Sequence, residues 1–311
     1  MILILCANTG VDRTYEVPEF VAGGYHRPDR VLVSAGGKGI NAARVLLALR
    51  QPVTVAGFAG GRSGAFVAAN LKAAAIRTSL TQIREESRTT LTVIDPRNRR
   101  VTRVDEWGPL VSPNEIEALR QQWVAALPGT QIAVISGNPP RGVPRDLYAS
   151  LLHCAARENI PTALDAHEEH LQEALPGRPQ LLKPNLRELS WLAKRPLEVP
   201  DGVVGFSREL LRQGVGAVLT TLGKQGAIIV GRESPALLVT APEVETISPV
   251  GAGDAALAGY LAAWREGRPL PDRARWAMAA GAANCASFSA GGVTREQVED
   301  LVPRVTVEPL E

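Results

Sequence analysis

The chain has 311 residues, 45% of them hydrophobic, and 29 glycines, enough to bury a large core as one big domain or two. Its 34 basic and 32 acidic residues leave a formal net charge of +2, which argues against bulk attraction to nucleic acid or a membrane surface and reserves positive charge for local use. Cys6, Cys154 and Cys285 lie far apart with no CxxC pair, so neither a disulfide framework nor a zinc site is indicated, and a reducing cytoplasm fits.

The apolar start at residues 2–6 lacks a basic leader and is too short to span a bilayer, so it reads as a buried first strand. Extended segments follow near 15–20 and 30–34, then an Ala/Leu-rich helix from about 39 to 49. After that, apolar β-type runs at 53–57, 132–136, 161–165 and 217–220 alternate with amphipathic or Ala-rich stretches at 65–75, 114–126, 144–157 and 206–213. Such alternation predicts a mostly parallel sheet covered by helices. Residues 89–105 differ: two β-type runs flank Asp95-Pro96-Arg97-Asn98, a hairpin signature with a polar face. Together with 15–20 and 30–34 it predicts a small separate sheet, a lid over the main domain. Neither internal repeats nor a long linker divides the chain.

Several strand ends carry chemistry. Asn8-Thr9-Gly10-Val11-Asp12 follows the first strand, and in a parallel α/β sheet the carboxyl end of a strand is where ligands bind; alone, Asp12 reads equally as a turn-forming residue. Gly36-Gly37-Lys38-Gly39-Ile40-Asn41 fails the Walker A spacing but sets an ammonium and an amide at a helix start, where unpaired N–H groups attract anions. Arg88 opens the hairpin and suits bidentate bonds to phosphate, or else is an exposed edge-strand residue. Ser136-Gly137-Asn138-Pro139-Pro140 ends another apolar strand. His167-Glu168-Glu169-His170 lacks the i, i+4 histidine spacing of a zinc protease and reads as a solvated helix start.

In Lys183-Pro184-Asn185-Leu186-Arg187-Glu188, Asn185 and Glu188 share a helical face that can hold hydrated Mg²⁺, or form a helix cap with its first-turn Glu. Thr221-Leu222-Gly223-Lys224-Gln225-Gly226 alone is a plain hairpin. Pro249-Val250-Gly251-Ala252-Gly253-Asp254 is a tight turn that opens an Ala-rich helix and forms an anion cradle. A carboxylate inside that cradle would repel phosphate unless a cation screens it or it takes a proton from the attacking group; helix capping is the plainer alternative. The same glycines satisfy a loose dinucleotide fingerprint without the continuous strand that should precede it. Gly281-Ala282-Ala283-Asn284 lies beyond that helix.

In order and nearly end to end, from Asn8 to Asn284, these motifs resemble the ribokinase-like (PfkB) carbohydrate kinases, phosphosugar branch. Thr9 stands where that family has Pro, and Asn138-Pro139 stand where it has Ser-Leu. The resemblance implies a three-layer α/β/α sandwich with a mostly parallel central sheet. It also implies a single domain over 1–311, with lid segments of about 13–35 and 88–106 inserted. The reaction implied is transfer of the ATP γ-phosphoryl group, with Mg²⁺, to a hydroxyl of a ketohexose monophosphate. Fructose 1-phosphate is the first choice, and tagatose 6-phosphate and fructose 6-phosphate are the near alternatives. A non-catalytic sugar-phosphate sensor and a nicotinamide-dependent oxidoreductase are the rivals of another class.

On that reading Asp254 is the base, and the Gly251, Ala252, Gly253 and Asp254 backbone is the anion hole. Asp12, Gly36, Gly37, Lys38, Asn41, Arg88, Ser136 and Gly137 meet the sugar phosphate, with Lys38, Asn41 and Arg88 gripping its phosphate. Lys183, Asn185, Glu188, Thr221, Gly223, Gly226 and Asn284 line the nucleotide, with Asn185 and Glu188 holding Mg²⁺ through water. No nucleic-acid or membrane partner is expected, and the lid offers a surface on which two copies could pair in the cytoplasm.

Overall fold

A computed structural model describes residues 1–232 and 234–310. The chain opens with β1 (Ile2–Asn8), β2 (Gly10–Glu16), β3 (Arg30–Gly36) and α1 (Lys38–Ala48). It continues through β4 (Val53–Gly60), α2 (Gly61–Ala73), β5 (Arg77–Ile83), β6 (Arg88–Asp95), β7 (Arg100–Asp105) and α3 (Pro113–Ala126). The middle alternates until its last two helices: β8 (Ile132–Ser136), α4 (Leu147–Arg157), β9 (Thr162–Asp165), α5 (Glu168–Ala174), β10 (Leu181–Leu182), α6 (Leu186–Leu192) and α7 (Asp201–Arg212). The last part holds β11 (Ala217–Thr221), β12 (Ala227–Gly231), β13 (Ala236–Thr240), α8 (Ala252–Arg265), α9 (Leu270–Cys285), α10 (Arg295–Leu301) and β14 (Thr306–Leu310).

The main sheet has ten strands in the order β14-β13-β12-β11-β10-β9-β8-β1-β4-β5. From β5 to β11 the neighbours are parallel, and β12, β13 and β14 add antiparallel pairs at one edge. The reason is visible in β1, where Ile2 to Ala7 are all buried: such a run suits a strand covered on both faces. Ile2, Ile4 and Cys6 join a core with α1, α2, α8 and α9, while Leu3, Leu5 and Ala7 join another with α3, α4, α6 and α7. Helix–sheet–helix layering follows from that alternation of side chains.

The second sheet has four strands in the order β3-β2-β6-β7, as expected of the lid. Its first strand sits earlier than the composition predicts. Residues 10–16 pair with β6 from Gly10 onward, and Pro18, which has no N–H to give to a ladder, lies in the turn that follows. The Glu19 and Phe20 N–H groups donate instead to the Asp95 carboxylate, at 2.9 Å each. β5 and β14, at the two edges of the main sheet, carry no strong sequence signal, because their apolar residues are interspersed with exposed polar ones.

Helices α8 and α9 approach most closely at Gly259, where an added Cβ would run into the Trp276 carbonyl oxygen and sit 2.8 Å from the Ala280 Cβ. Alanine in a helix interior is worth about 1 kcal/mol over glycine, but overpacking against backbone costs about 1–3 kcal/mol, so the clash should win. Gly259→Ala is expected to lower the urea midpoint and Gly259→Val to lower it further. An unchanged midpoint for both would show that the helices part freely.

Candidate active site

The carboxyl ends of β1, β8, β9, β10 and β11 meet the amino ends of α1 and α8 over the middle of the sheet, the position where open α/β sheets bind ligands. Its centre is a residue the sequence reading passed over. Asp165 closes β9 and is 0% exposed. Lys38, from the start of α1, reaches its Oδ1 at 2.9 Å, and Lys183, from the end of β10, reaches its Oδ2 at 3.4 Å. Burial pushes Asp165 up, yet Lys183 and Lys38 outweigh it and hold the carboxyl below the usual range. Burial likewise disfavours the Lys38 ammonium, and Asp165, Asp254 and Glu188 more than restore it.

Asp254 faces the same cluster from the first turn of α8. Gly251 caps that helix with φ 84°, a left-handed conformation that favours glycine, and is followed by Ala252 and Gly253. The first-turn N–H groups have no intrahelical acceptor. A Cβ built on Gly253 would meet only the Lys183 Nζ, at 3.6 Å, so the cradle opens toward that ammonium. The Asp254 carboxyl is buried, and its Oδ2 accepts a 2.9 Å hydrogen bond from Asn41 Nδ2. Burial pushes its pKa above the ordinary carboxylate value, with Lys38 opposing.

Around this point Asn8 Oδ1, Asp12 Oδ1, Asn41 Oδ1, Ser136 Oγ and Thr220 Oγ1 are buried with no hydrogen-bond partner among the described residues. Unmatched groups of this kind mark a surface shaped for a polar ligand. Gly137 lies beside them with φ 94°, donates its N–H to Asp165 O at 2.7 Å and packs on the Lys38 stem.

The lid side forms a second cluster. The Asp12 carboxyl lies where a side chain on Gly36 would stand, and Gly37, at φ 117°, turns β3 into α1. Burial raises the Asp12 pKa, opposed by Arg103, Arg88 and Arg44. Arg88 donates from Nη1 to Thr90 Oγ1 at 2.8 Å and from Nε to Asn8 O at 3.3 Å, with Asp105 at 3.7 Å. The sequence reading joins Lys38, Asn41 and Arg88 in one phosphate grip, and their contacts differ from that. Lys38 is drawn down to Asp165 and Asn41 is bonded to Asp254, whereas Arg88 belongs to the lid. Arg103 and Arg44 are the cations that accompany it, and their place on a polar strand and an Ala-rich helix gave no signal.

On the nucleotide side Asn185 and Glu188 form a reciprocal capping box: Asn185 Oδ1 accepts from Glu188 N at 2.9 Å and Glu188 Oε2 from Asn185 N at 2.8 Å. Residues 167–170 do open a helix, α5, as expected, but His167 at its N-cap is not free: Glu188 Oε1 contacts its Nδ1. No group of three or more His, Cys, Asp or Glu side chains able to hold a metal ion occurs among the described residues. The Glu188 carboxylate, 4% exposed and within electrostatic reach of Asp165 and Lys38, therefore fits Mg²⁺ held mainly by water and phosphate oxygens rather than an all-protein cage.

Thr221 ends β11, with its N–H on Pro184 O at 3.0 Å, and Gly223 and Gly226 turn the chain into β12 at φ 64° and 97°. Asn284 is fully buried; it donates to Val250 O at 2.8 Å and accepts from Gly291 N at 2.7 Å. Its amide thus holds the loop before α8 against the loop that carries Gly291. The stretch 241–250 before Gly251 is irregular rather than a strand, which removes the dinucleotide-fingerprint reading.

The 1-phosphofructokinase of Bacillus subtilis is 28% identical to the chain over 310 residues, covering 100% of each. Escherichia coli phosphofructokinase-2, in a crystal structure with fructose-6-phosphate, superposes with a TM-score of 0.89 at 27% identity, over 97% of this chain and 98% of that one. A Thermotoga maritima protein described as a possible 1-phosphofructokinase has the same fold, with a TM-score of 0.92 at 24% identity and 100% coverage of both chains. The model of the pfkB family carbohydrate kinases matches residues 5–296, from β1 to the start of α10, and the chain belongs to that family.

Proposed function

We propose that the chain transfers the γ-phosphoryl group of ATP to a hydroxyl of a ketohexose monophosphate, fructose 1-phosphate first, giving fructose 1,6-bisphosphate. The observation that carries this is Asp254, buried at a glycine-rich helix start beside Lys38 and Lys183. A carboxylate whose pKa is raised is a stronger base once ionised. Asp254 takes the proton of the sugar hydroxyl as its oxygen bonds to the γ-phosphorus; the bond to the β-phosphate bridging oxygen breaks and ADP leaves. The first-turn N–H groups around Gly253 and the Lys183 ammonium receive the charge of the transferring group. Asp12 accepts from sugar hydroxyls, and Arg88, with Arg103 beside it, binds the phosphate the sugar already carries. Glu188, with Asn185 capping its helix, would hold Mg²⁺ through water, and the ion would supply positive charge to the nucleotide phosphates.

Fructose 6-phosphate is the second reading, supported by the Escherichia coli relative bound to that sugar. The outer face of the lid sheet carries Val31 and Val104, 51% and 60% exposed, which supports pairing of two copies there. The reading is tested by MgATP with a panel of ketohexose monophosphates and free sugars, scored by ADP release. The highest kcat/KM is expected on fructose 1-phosphate, and equal turnover of free fructose would overturn the phosphosugar assignment.

Asp254→Asn should lower kcat by roughly 10²–10⁴ while leaving MgATP binding nearly intact, the usual worth of a positioned base. The same change has a stability signature. A folded-state pKa above the ordinary 3.8 means that stability is complete below that value and is lost as pH rises through the folded pKa. Asp254→Asn should therefore raise the melting temperature at pH 7 and lose that advantage toward pH 4. Near-normal kcat with no pH-dependent gain would remove Asp254 from the role.

Arg88→Ala deletes charge-assisted bonds worth roughly 1.5–3 kcal/mol, so kcat/KM on fructose 1-phosphate should fall by about 10- to 150-fold with ATP affinity hardly changed. Equal rates for variant and wild type would count against a lid-side phosphate site.

A further inference from the structure

His167 follows Asp165 by two residues and stands at the amino end of α5, with its side chain 36% exposed at the mouth of the site. Two contacts fix it. Its backbone N–H donates to Asn138 Oδ1 at 2.9 Å, and its ring Nδ1 meets Glu188 Oε1. Glu188 in turn already gives Oε2 to the Asn185 N–H. Gly137 N–H donates to Asp165 O at 2.7 Å, so the loops after β8 and β9 are clipped together and His167 carries that clip on to the helix after β10.

A carboxylate offers only acceptors, so Nδ1 carries the proton of this contact. Without the ring, Glu188 would keep one fixed oxygen and could swing the other, since nothing else bonds Oε1 among the described residues. We propose that His167 is a positioning residue: through Nδ1–H it fixes the orientation of the Glu188 carboxylate that holds hydrated Mg²⁺, and Asn138 sets His167 itself. This deepens the proposed function and rests on its reading of Glu188. Outer-shell partners of this kind are worth about 10- to 100-fold in metal affinity.

The test uses the full chain with His167→Ala, His167→Asn, His167→Gln and Glu188→Gln, each folded by its melting curve. Asparagine carries its amide nitrogen as many bonds from Cα as Nδ1, and glutamine carries it as far as Nε2. Two readouts are taken: the Mg²⁺ midpoint of the rate on fructose 1-phosphate, and ATP affinity by calorimetry with Mg²⁺ or with EDTA. His167→Ala and His167→Gln should raise the Mg²⁺ midpoint by about 10- to 100-fold and weaken ATP binding only when Mg²⁺ is present, with His167→Asn staying within about threefold of wild type. An unshifted midpoint in His167→Ala, or His167→Asn as impaired as His167→Ala, overturns the role of His167 while a shifted Glu188→Gln keeps that of Glu188. An unshifted Glu188→Gln overturns both.

Discussion

Everything at this site depends on keeping a carboxylate charged where water does not reach. Asp165 is 0% exposed, and an isolated ion there would cost several kcal/mol in effective desolvation. Two ammonium groups offset that cost, and they come from separate parts of the fold, one at the start of α1 and one after β10. A buried pair of this kind adds little net stability over apolar packing, but breaking it leaves an uncompensated charge and costs about 3–5 kcal/mol. The arrangement therefore specifies geometry. It requires the β3–α1 turn, the β9 end and the β10 end to meet at one point, where Asp254 arrives from α8.

The balance of charge also orders the reaction. Lys38 and Lys183 face the carboxylates of Asp165, Asp254 and Glu188, so the protein's own groups are one charge negative before any ligand binds. Nucleotide phosphates entering alone would meet repulsion from those carboxylates, relieved in part by the free N–H groups at the start of α8. In the proposed reaction the nucleotide enters with a divalent cation, and burial, with the Asp165 carboxylate adding to it, keeps Asp254 basic. Phosphate binding and proton abstraction then draw on one electrostatic arrangement rather than two.

Much of this was legible in the sequence because the fold places each motif at a strand end. Gly37-Lys38, Lys183 and Asn185 sit where a strand stops and a helix begins, and Gly251 and Asp254 where a Pro- and Gly-containing turn opens an Ala-rich helix, changes of texture that the chain shows directly. The roles that escaped notice lack such a signal. Asp165 ends an apolar run as a single acidic residue, indistinguishable from a turn-former until two lysines converge on it. His167 stands in a charged, polar stretch, and only the folded chain brings it to Glu188. Arg103 and Arg44 act on Asp12 across strands and from a neighbouring helix, and pairings of that sort are set by register, which a one-dimensional reading does not contain.

The lid remains electrostatically apart from the main cluster, and this bears on substrate choice. Asp12, Arg88 and Arg103 are held as one unit because β2, β6 and β7 are hydrogen-bonded to each other, and the unit joins the main domain through residues 84–87 and 106–112 and, beside the site, through the turns at Gly10 and Gly37. Neither turn has room for side chains: a Cβ on Gly10 would strike the Arg88 backbone, and one on Gly37 would lie 2.7 Å from the Cys6 Sγ. A ligand that bonds to Asp254 at one end and to Arg88 at the other spans the two units and draws them together with both of its ends. A ligand with only hydroxyl groups reaches Asp12 and Asp254 but leaves the lid arginines to water, so it gains nothing from approach of the lid. The spacing of charge along the sugar, more than the placement of any one hydroxyl, is what this architecture can measure.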